Sequence, residues 1–226
     1  MSFWESSVPW SFRDLPVRPS YEERRKMRYE LQSYMNWFGD YKGKKVLEVG
    51  SGAGLDAAEF VRHGARVTAT DSSGAGLYET RLTLMQARIQ GVDVRHADAE
   101  HLPFPSGSFD VIYSFGVLHH LPVPRYAVRE FARVAPEFLG MVYHRDSLLY
   151  AYSIQHLGLP FEMRGTPEGT RAYTVDEAKR LFGEFYSKVE VTPRYNVIDT
   201  PEKRKVKLDV PDSLGLGWHL ICRCRR

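Results

Sequence analysis

The stretch VLEVGSGAG, Val46 to Gly54, sets Gly50, Gly52 and Gly54 at alternate positions just after a carboxylate at Glu48. Glycines let a backbone turn sharply and lie close against a ligand. A loop of this kind between a strand and a helix cradles nucleotides in several chemistries, so its surroundings must choose among them. A dinucleotide fingerprint needs G-x-G-x-x-G, but the sixth position is Leu55 and Gly54 falls one residue early. A triphosphate loop ends in Gly-Lys-Ser/Thr, and no lysine lies nearby. Asp71 lies about 20 residues after Gly50, where a carboxylate can accept both ribose hydroxyls, with Ser72 behind it. Asp98, followed by Ala99 and Glu100, suits an adenine edge. A ligand with ribose and adenine but no phosphates fits, and S-adenosylmethionine is that ligand.

These residues need elements to position them, and the pattern alternates strand and helix. Lys45–Val49 is a short apolar run that stops at the glycines and reads as a buried strand. A helix over Leu55–His63 capped by Gly64, a strand over Ala65–Asp71 and a helix over Leu77–Gln90 closed by Gly91 follow. Strands are expected over Asp93–Asp98, Phe109–Ser114 and Phe138–His144, with a helix near Pro124–Val134. Ser20-Tyr-Glu-Glu23 and Thr174-Val-Asp-Glu177 read as capping boxes. The first opens a helix through about Met35 with Met27, Leu31 and Met35 on one face; the second opens one to Phe182. VEVTPRY and WHLICRC alternate as a closing pair of strands. Such alternation implies an α/β, doubly wound parallel sheet that binds ligands outside the carboxyl ends of its strands.

Composition agrees with a globular chain. It has 226 residues, 43% hydrophobic and 26% charged, with net charge +3. There is no apolar run near the ~18 residues that cross a bilayer. The start, MSFWESSVPW, lacks a signal pattern, so a cytoplasmic location is the expectation. Cys222 and Cys224 stand too close along one strand to bridge. PEKRKVK (Pro201 to Lys207) and CRCRR (Cys222 to Arg226) concentrate positive charge without making a stripe for duplex nucleic acid.

VLEVGSGAG, TATDSS, HADAEHLPFPSGSFDVIYSFGVLHHLP and MVYH resemble, in order and spacing, successive motifs of the class I S-adenosylmethionine-dependent methyltransferases of small-molecule type. The likeness covers roughly residues 22–190. It implies a Rossmann-like seven-stranded sheet, mostly parallel with an antiparallel last strand, and an N-terminal lid helix. It divides the chain into a lid and aromatic segment, 1–44, and a methyltransferase domain, 45–226, with an acceptor-covering insertion at about 147–173. Gly50, Ser51, Gly52 and Gly54 would then lie along the cofactor's methionine part, with Glu48 anchoring the loop or reaching the amino group. Asp71 and Ser72 would hold the ribose, and Asp98, Ala99 and Glu100 the adenine. Ser114 and Phe115 would border the methionine end, with Tyr21 and Arg28 reaching it from the lid. One departure stands out: the family's basic-Pro-Gly-Gly turn before the fifth strand is replaced by Ala135-Pro-Glu-Phe-Leu-Gly140.

Methyl transfer from a sulfonium is an in-line displacement, so alignment at roughly 3 Å can supply about 7–11 kcal/mol. A hydroxyl acceptor must also lose a proton to a base. His119 and His120 after the fourth strand are candidates, and His144 at the end of the fifth is another. Phe3, Trp4, Trp10 and Phe12 crowd the start, and the insertion brings Tyr150, Tyr152, His156, Phe161, Met163 and Arg164, an amphipathic set. The leading reading is O-methylation of a small molecule. An RNA or protein methyltransferase and a non-catalytic cofactor-fold binder are the alternatives; decayed glycines or a lost Asp71 would mark the last, and both are intact.

Overall fold

The computed structural model describes residues 17–31, 35–148, 150–151, 155, 171–194, 197–199, 205–207 and 214–226. Phe3, Trp4, Trp10, Phe12, Tyr152, His156, Phe161, Met163 and Arg164 lie outside them, as does part of PEKRKVK. The strands are β1 Lys45–Val49, β2 Arg66–Asp71, β3 Asp93–His96, β4 Val111–Phe115, β5 Glu137–Tyr143, β6 Lys188–Arg194, β7 Val197–Asp199, β8 Lys205–Lys207 and β9 His219–Arg225. The helices are α1 Tyr21–Leu31, α2 Leu55–Arg62, α3 Gly74–Gln86, α4 Pro124–Val134 and α5 Val175–Gly183.

Seven strands form one sheet in the order β3-β2-β1-β4-β5-β9-β6, and β7 pairs with β8 alone. β1 to β5 pair in parallel, while β9 runs antiparallel to both β5 and β6. The strand order reverses between β1 and β4, and both strands end at the same edge. Alternation along the strands feeds two cores. Leu47, Ile112 and Phe138 pack with Phe131 of α4 and Phe182 of α5 on one face. Val46, Tyr113 and Met141 pack with Phe60 of α2 and with Trp37 and Phe38 on the other. Cys222 and Cys224 are free and buried.

Both capping boxes form. Ser20 N donates to Glu23 at 2.8 Å while Glu23 N donates to Ser20 Oγ at 3.3 Å, and Thr174 with Glu177 repeats the exchange. The inward face of α1 differs from the expectation. Met35, beyond the helix, is buried, but Met27 is 42% exposed, and among the described side chains α1 buries Tyr21, Arg24 and Arg28. The reason is the surface underneath, since α2 and α3 present polar partners: Arg24 donates to Thr83 and Gln86, and Arg25 to both oxygens of Glu59. Helix α3 also stops at Gln86 rather than Gln90, because the chain reverses at Arg88 (φ 57) and Ile89 N returns to the Leu84 carbonyl. The altered turn before β5 is short: Ala135 is already extended, and Gly140 lies inside the strand. A Cβ on Gly140 would stand 2.3 Å from the Ser114 carbonyl oxygen, so glycine lets β5 pack tightly against β4.

Candidate functional site

The glycine loop leaves β1 and is tied to β2. Gly50 N and Ser51 N both donate to the Thr70 carbonyl, at 2.8 and 2.9 Å. Gly50 and Gly54 have φ of 78° and 70°, in the left-handed region that side chains avoid. Space is tight as well: a Cβ on Gly50 would stand 2.1 Å from Val117 Cγ2, and one on Gly54 would stand 2.7 Å from the Thr80 Cα. Ser51 and Thr80 share a hydroxyl–hydroxyl bond of 2.8 Å, and Thr80 also donates to the Gly52 carbonyl.

Asp71 ends β2 against this loop. Its carboxylate accepts from Gly52 N, Ser73 N and Ser73 Oγ at 2.8–2.9 Å, which fixes its orientation. Gly76 of α3 leaves room for it; a Cβ there would come within 2.5 Å of the Asp71 carboxyl carbon. Ser72 is exposed, and its carbonyl meets His96 Nε2 at 3.1 Å. Asp98 lies two residues beyond His96, the register partner of Asp71. It is exposed, accepts from Glu100 N and contacts His101, while Ala99 is buried and Glu100 accepts from Val123 N. Ser114, fully buried, donates to the Val49 carbonyl at 3.0 Å and holds the end of β4 beside the end of β1.

Beneath the loop lies a buried carboxyl group. Glu48 is 3% exposed, and its Oε2 has no hydrogen-bond partner. Burial first, then the Asp56 carboxylate, pushes its carboxyl well above the ordinary range, against a pull from Arg28. Asp56, at the start of α2, accepts from Arg28 Nε at 3.0 Å, Tyr29 Oη at 2.6 Å and Tyr113 Oη at 2.8 Å. Burial works against the Arg28 charge, but Asp56 more than reverses it and the guanidinium is held raised. Arg28 also lies 5.2 Å from the Phe115 ring centre. Tyr21 donates to Glu59 of α2 at 3.2 Å. Tyr21 and Arg28 of α1 are thus engaged with carboxylates of α2, with Arg28 near the loop.

The histidines stand at the ends of β4 and β5. His119, 0% exposed, stacks on Tyr143 with centroids 3.7 Å apart, and neither ring nitrogen has a partner. Burial, helped by His120 and His219, pulls its pKa well below the usual value. His120 is half-buried, 4.2 Å from His119 between centroids, and burial lowers its pKa to about 4. His144 is buried and its Nδ1 lies 2.8 Å from the Gly217 carbonyl; burial lowers its pKa, partly offset by that bond. Among the described residues no group of His, Cys, Asp and Glu could hold a metal ion, and no helix is long and apolar enough to cross a membrane.

Several site residues were not foreseen. Trp218 stacks on Tyr143 at 4.7 Å, and His219 meets Phe115 edge-on at 5.5 Å. Their signal was the aromatic start of WHLICRC, which only the antiparallel register Tyr143↔His219 brings beside β5. Asp56 and Gly76 were hidden in ordinary helix sequence.

Residues 47–137 match the methyltransferase domain family. A ubiquinone biosynthesis O-methyltransferase from Erwinia tasmaniensis is 30% identical over 156 residues, covering 67% of this chain and 61% of that protein. The chain therefore spans about three fifths of the length of the curated relatives it matches. Among solved structures, a Thermotoga maritima protein described as a possible histamine N-methyltransferase superposes with a TM-score of 0.64 at 16% identity, covering 90% of this chain and 93% of that one. Magnesium protoporphyrin IX methyltransferase from Synechocystis, with bound SAH, gives 0.63 at 17% identity, covering 95% and 90%. Loop geometry, strand order and domain match agree: the chain has the fold of the solved methyltransferases it superposes on, and residues 47–137 match the methyltransferase domain.

Proposed function

We propose that this chain is an S-adenosylmethionine-dependent methyltransferase that methylates a hydroxyl group of a small-molecule acceptor. The observation that carries the reading is Glu48, a buried carboxylate beneath the glycine loop with an unpartnered oxygen. A buried polar atom of that kind is costly unless a ligand completes it, and the ammonium of the cofactor's methionine part is a fitting donor. The rest of the set fits too. Gly50, Ser51, Gly52 and Gly54 give close backbone approach, and Asp71 keeps acceptor capacity on Oδ2 beyond its bond to Gly52 N. Ser72 flanks the ribose side, while Asp98, Ala99 and Glu100 form the adenine side. Ser114, Phe115, Arg28 and Tyr21 border the methionine end, Tyr21 by holding α1 in place. When bound, the cofactor supplies an electrophilic methyl group on a sulfonium.

The chain's own task is to hold an acceptor in line and remove its proton. Of the three histidines, His120 alone is not fully buried, and we assign it the base role; His144 stands second, with Nδ1 committed to Gly217 and Nε2 left to accept. A neutral imidazole at physiological pH is the form that accepts. The O-methyltransferase relatives support a hydroxyl acceptor.

A thermal melt tests the reading. S-adenosylmethionine or its demethylated product at a hundred times Kd adds about 2.7 kcal/mol, which for this size raises Tm by roughly 5–10 °C. NADH at the same concentration should do nothing. No shift with either cofactor form would overturn the assignment.

A further inference from the structure

The rings at the end of β5 form one stack, and two of its rings carry unpaired nitrogens. Tyr143 lies within 3.7 Å of the His119 ring centre at 23° and within 4.7 Å of the Trp218 ring centre at 16°. His119 and Trp218 are 0% and 1% exposed, yet both nitrogens of His119 and Nε1 of Trp218 lack hydrogen-bond partners. Orphaned buried polar atoms are rare in native folds, and here they sit on two rings that share one neighbour. The stack also adjoins the glycine loop. Val117, whose methyl fills the space a Gly50 Cβ would need, leads directly into the turn that carries His119.

Resting on the methyltransferase reading, we infer that the edge of this stack is the acceptor subsite, with His119 and Trp218 as specificity-determining residues for an uncharged planar ring bearing a hydroxyl. Indole Nε1–H can only donate, and a neutral imidazole offers one donor and one acceptor. A hydroxyl suits either ring, since it can donate to the imidazole or accept from the indole. Charge is disfavoured by the rings around the stack. Tyr143, Phe115, His120 and His219 carry no fixed charge, and the nearby Arg28 is paired with Asp56. An ammonium or carboxylate entering there would lose its hydration with nothing to replace it. The ends of the insertion lie over the stack: Arg171 N donates to the His119 carbonyl at 2.9 Å, and Tyr150 rests 6.2 Å from Trp218.

The test titrates the full chain, loaded with S-adenosylhomocysteine, with catechol, histamine and 4-hydroxybenzoate in a calorimeter. His119→Phe and Trp218→Phe are compared with it, each keeping a ring and deleting the nitrogens. Catechol should bind, with the cation and the anion about ten-fold weaker or more. Each variant should weaken catechol by about ten-fold while S-adenosylhomocysteine stays within about two-fold. The Tm of each ligand-free variant should hold or rise for His119→Phe, because removing orphaned atoms relieves the fold. A lowered His119→Phe melt with catechol binding unchanged would make the nitrogens structural and overturn the proposal. Failure of catechol to bind, or equal binding of all three probes, would overturn it while leaving the cofactor reading intact. Failure of S-adenosylhomocysteine itself to bind would bring down both. Trp218→Phe decides the matter if His119→Phe does not fold.

Discussion

Arg28 of α1 holds Asp56 of α2 through both carboxylate oxygens, and the pair is buried where the glycine loop enters its helix. Asp56 is also the acceptor for Tyr29 and Tyr113, so one carboxylate joins α1, α2 and β4. Breaking a buried pair leaves an uncompensated charge, a far larger loss than the pair's own net worth. Arg28→Ala should therefore destabilise the chain by about 3–5 kcal/mol. Urea unfolding checks this; a loss under about 1 kcal/mol, the range of exposed pairs, would show that the contact is solvated.

Gly76→Ala should separate ligand binding from stability. Gly76 is helical, and alanine favours a helix over glycine by about 0.5–1 kcal/mol. The added methyl would press on the Asp71 carboxylate and turn it from its bonds with the glycine loop. Cofactor Kd should rise about ten-fold or more, the scale of a lost charge-assisted hydrogen bond, with Tm little changed. Calorimetry with S-adenosylhomocysteine reads it, and an unchanged Kd would remove Asp71 from the binding role.

Glu48→Gln should stabilise the ligand-free chain at neutral pH. The folded-state pKa of Glu48 is raised by burial, so its favourable contribution is complete below the unfolded value near 4.5 and is lost as pH climbs. Each unit climbed costs about 1.4 kcal/mol until the folded pKa is reached. The variant keeps the shape without that loss, so the Tm difference should widen from pH 4.5 upward. It should also weaken cofactor binding, since the carboxylate is the proposed partner of the ammonium. A variant that melts lower at neutral pH would contradict the raised pKa.

His120→Gln should lower kcat by about 10²-fold or more with a hydroxyl acceptor, as removal of a general base does. The deficit should shrink at alkaline pH, where the acceptor ionises unaided; a constant deficit across pH would give His120 a structural role instead. The same histidine has a signature in stability. Its folded pKa is depressed to about 4, so between about 4 and 6.5 the unfolded chain binds more protons and the fold weakens as pH falls. Glu48 pulls the other way over part of that window, so Glu48→Gln is the background in which the slope should be measured.

Much of this was legible in the chain's local pattern. Strand β1, helix α4 and both capping boxes stand where alternation and Ser/Thr-x-x-Glu spacing put them, because each signal is local. Met35 is buried as its apolar spacing implies, but Met27 is not, because Arg24 and Arg28 turn α1 toward polar groups on helices far along the chain. Trp218 and His219 were likewise invisible as site residues: only the register of β9 on β5 brings them to Tyr143. Gly76 reads as a helix weakness until Asp71 is seen against it.

Strand β9 lies between β5 and β6 and bonds to both, with Arg225 opposite Glu137 on one side and Lys188 on the other. Those two neighbours never meet without it. The β5–β9 pairing, from Tyr143↔His219 to Glu137↔Arg225, spans more of the sequence than any other in the sheet and is entropically slow, whereas Lys45↔Arg66 and Val46↔Val111 join β1 to β2 and β4 over shorter spans. The two halves of the site therefore mature at different moments: the glycine loop belongs to the early half, and Trp218 and His219 travel with the closing strand. Pulse-labelling hydrogen exchange should find β1 amides protected before those of β9, and simultaneous protection would refute this order. A chain halted before that closure would hold a cofactor cradle facing no acceptor wall, able to bind and unable to choose.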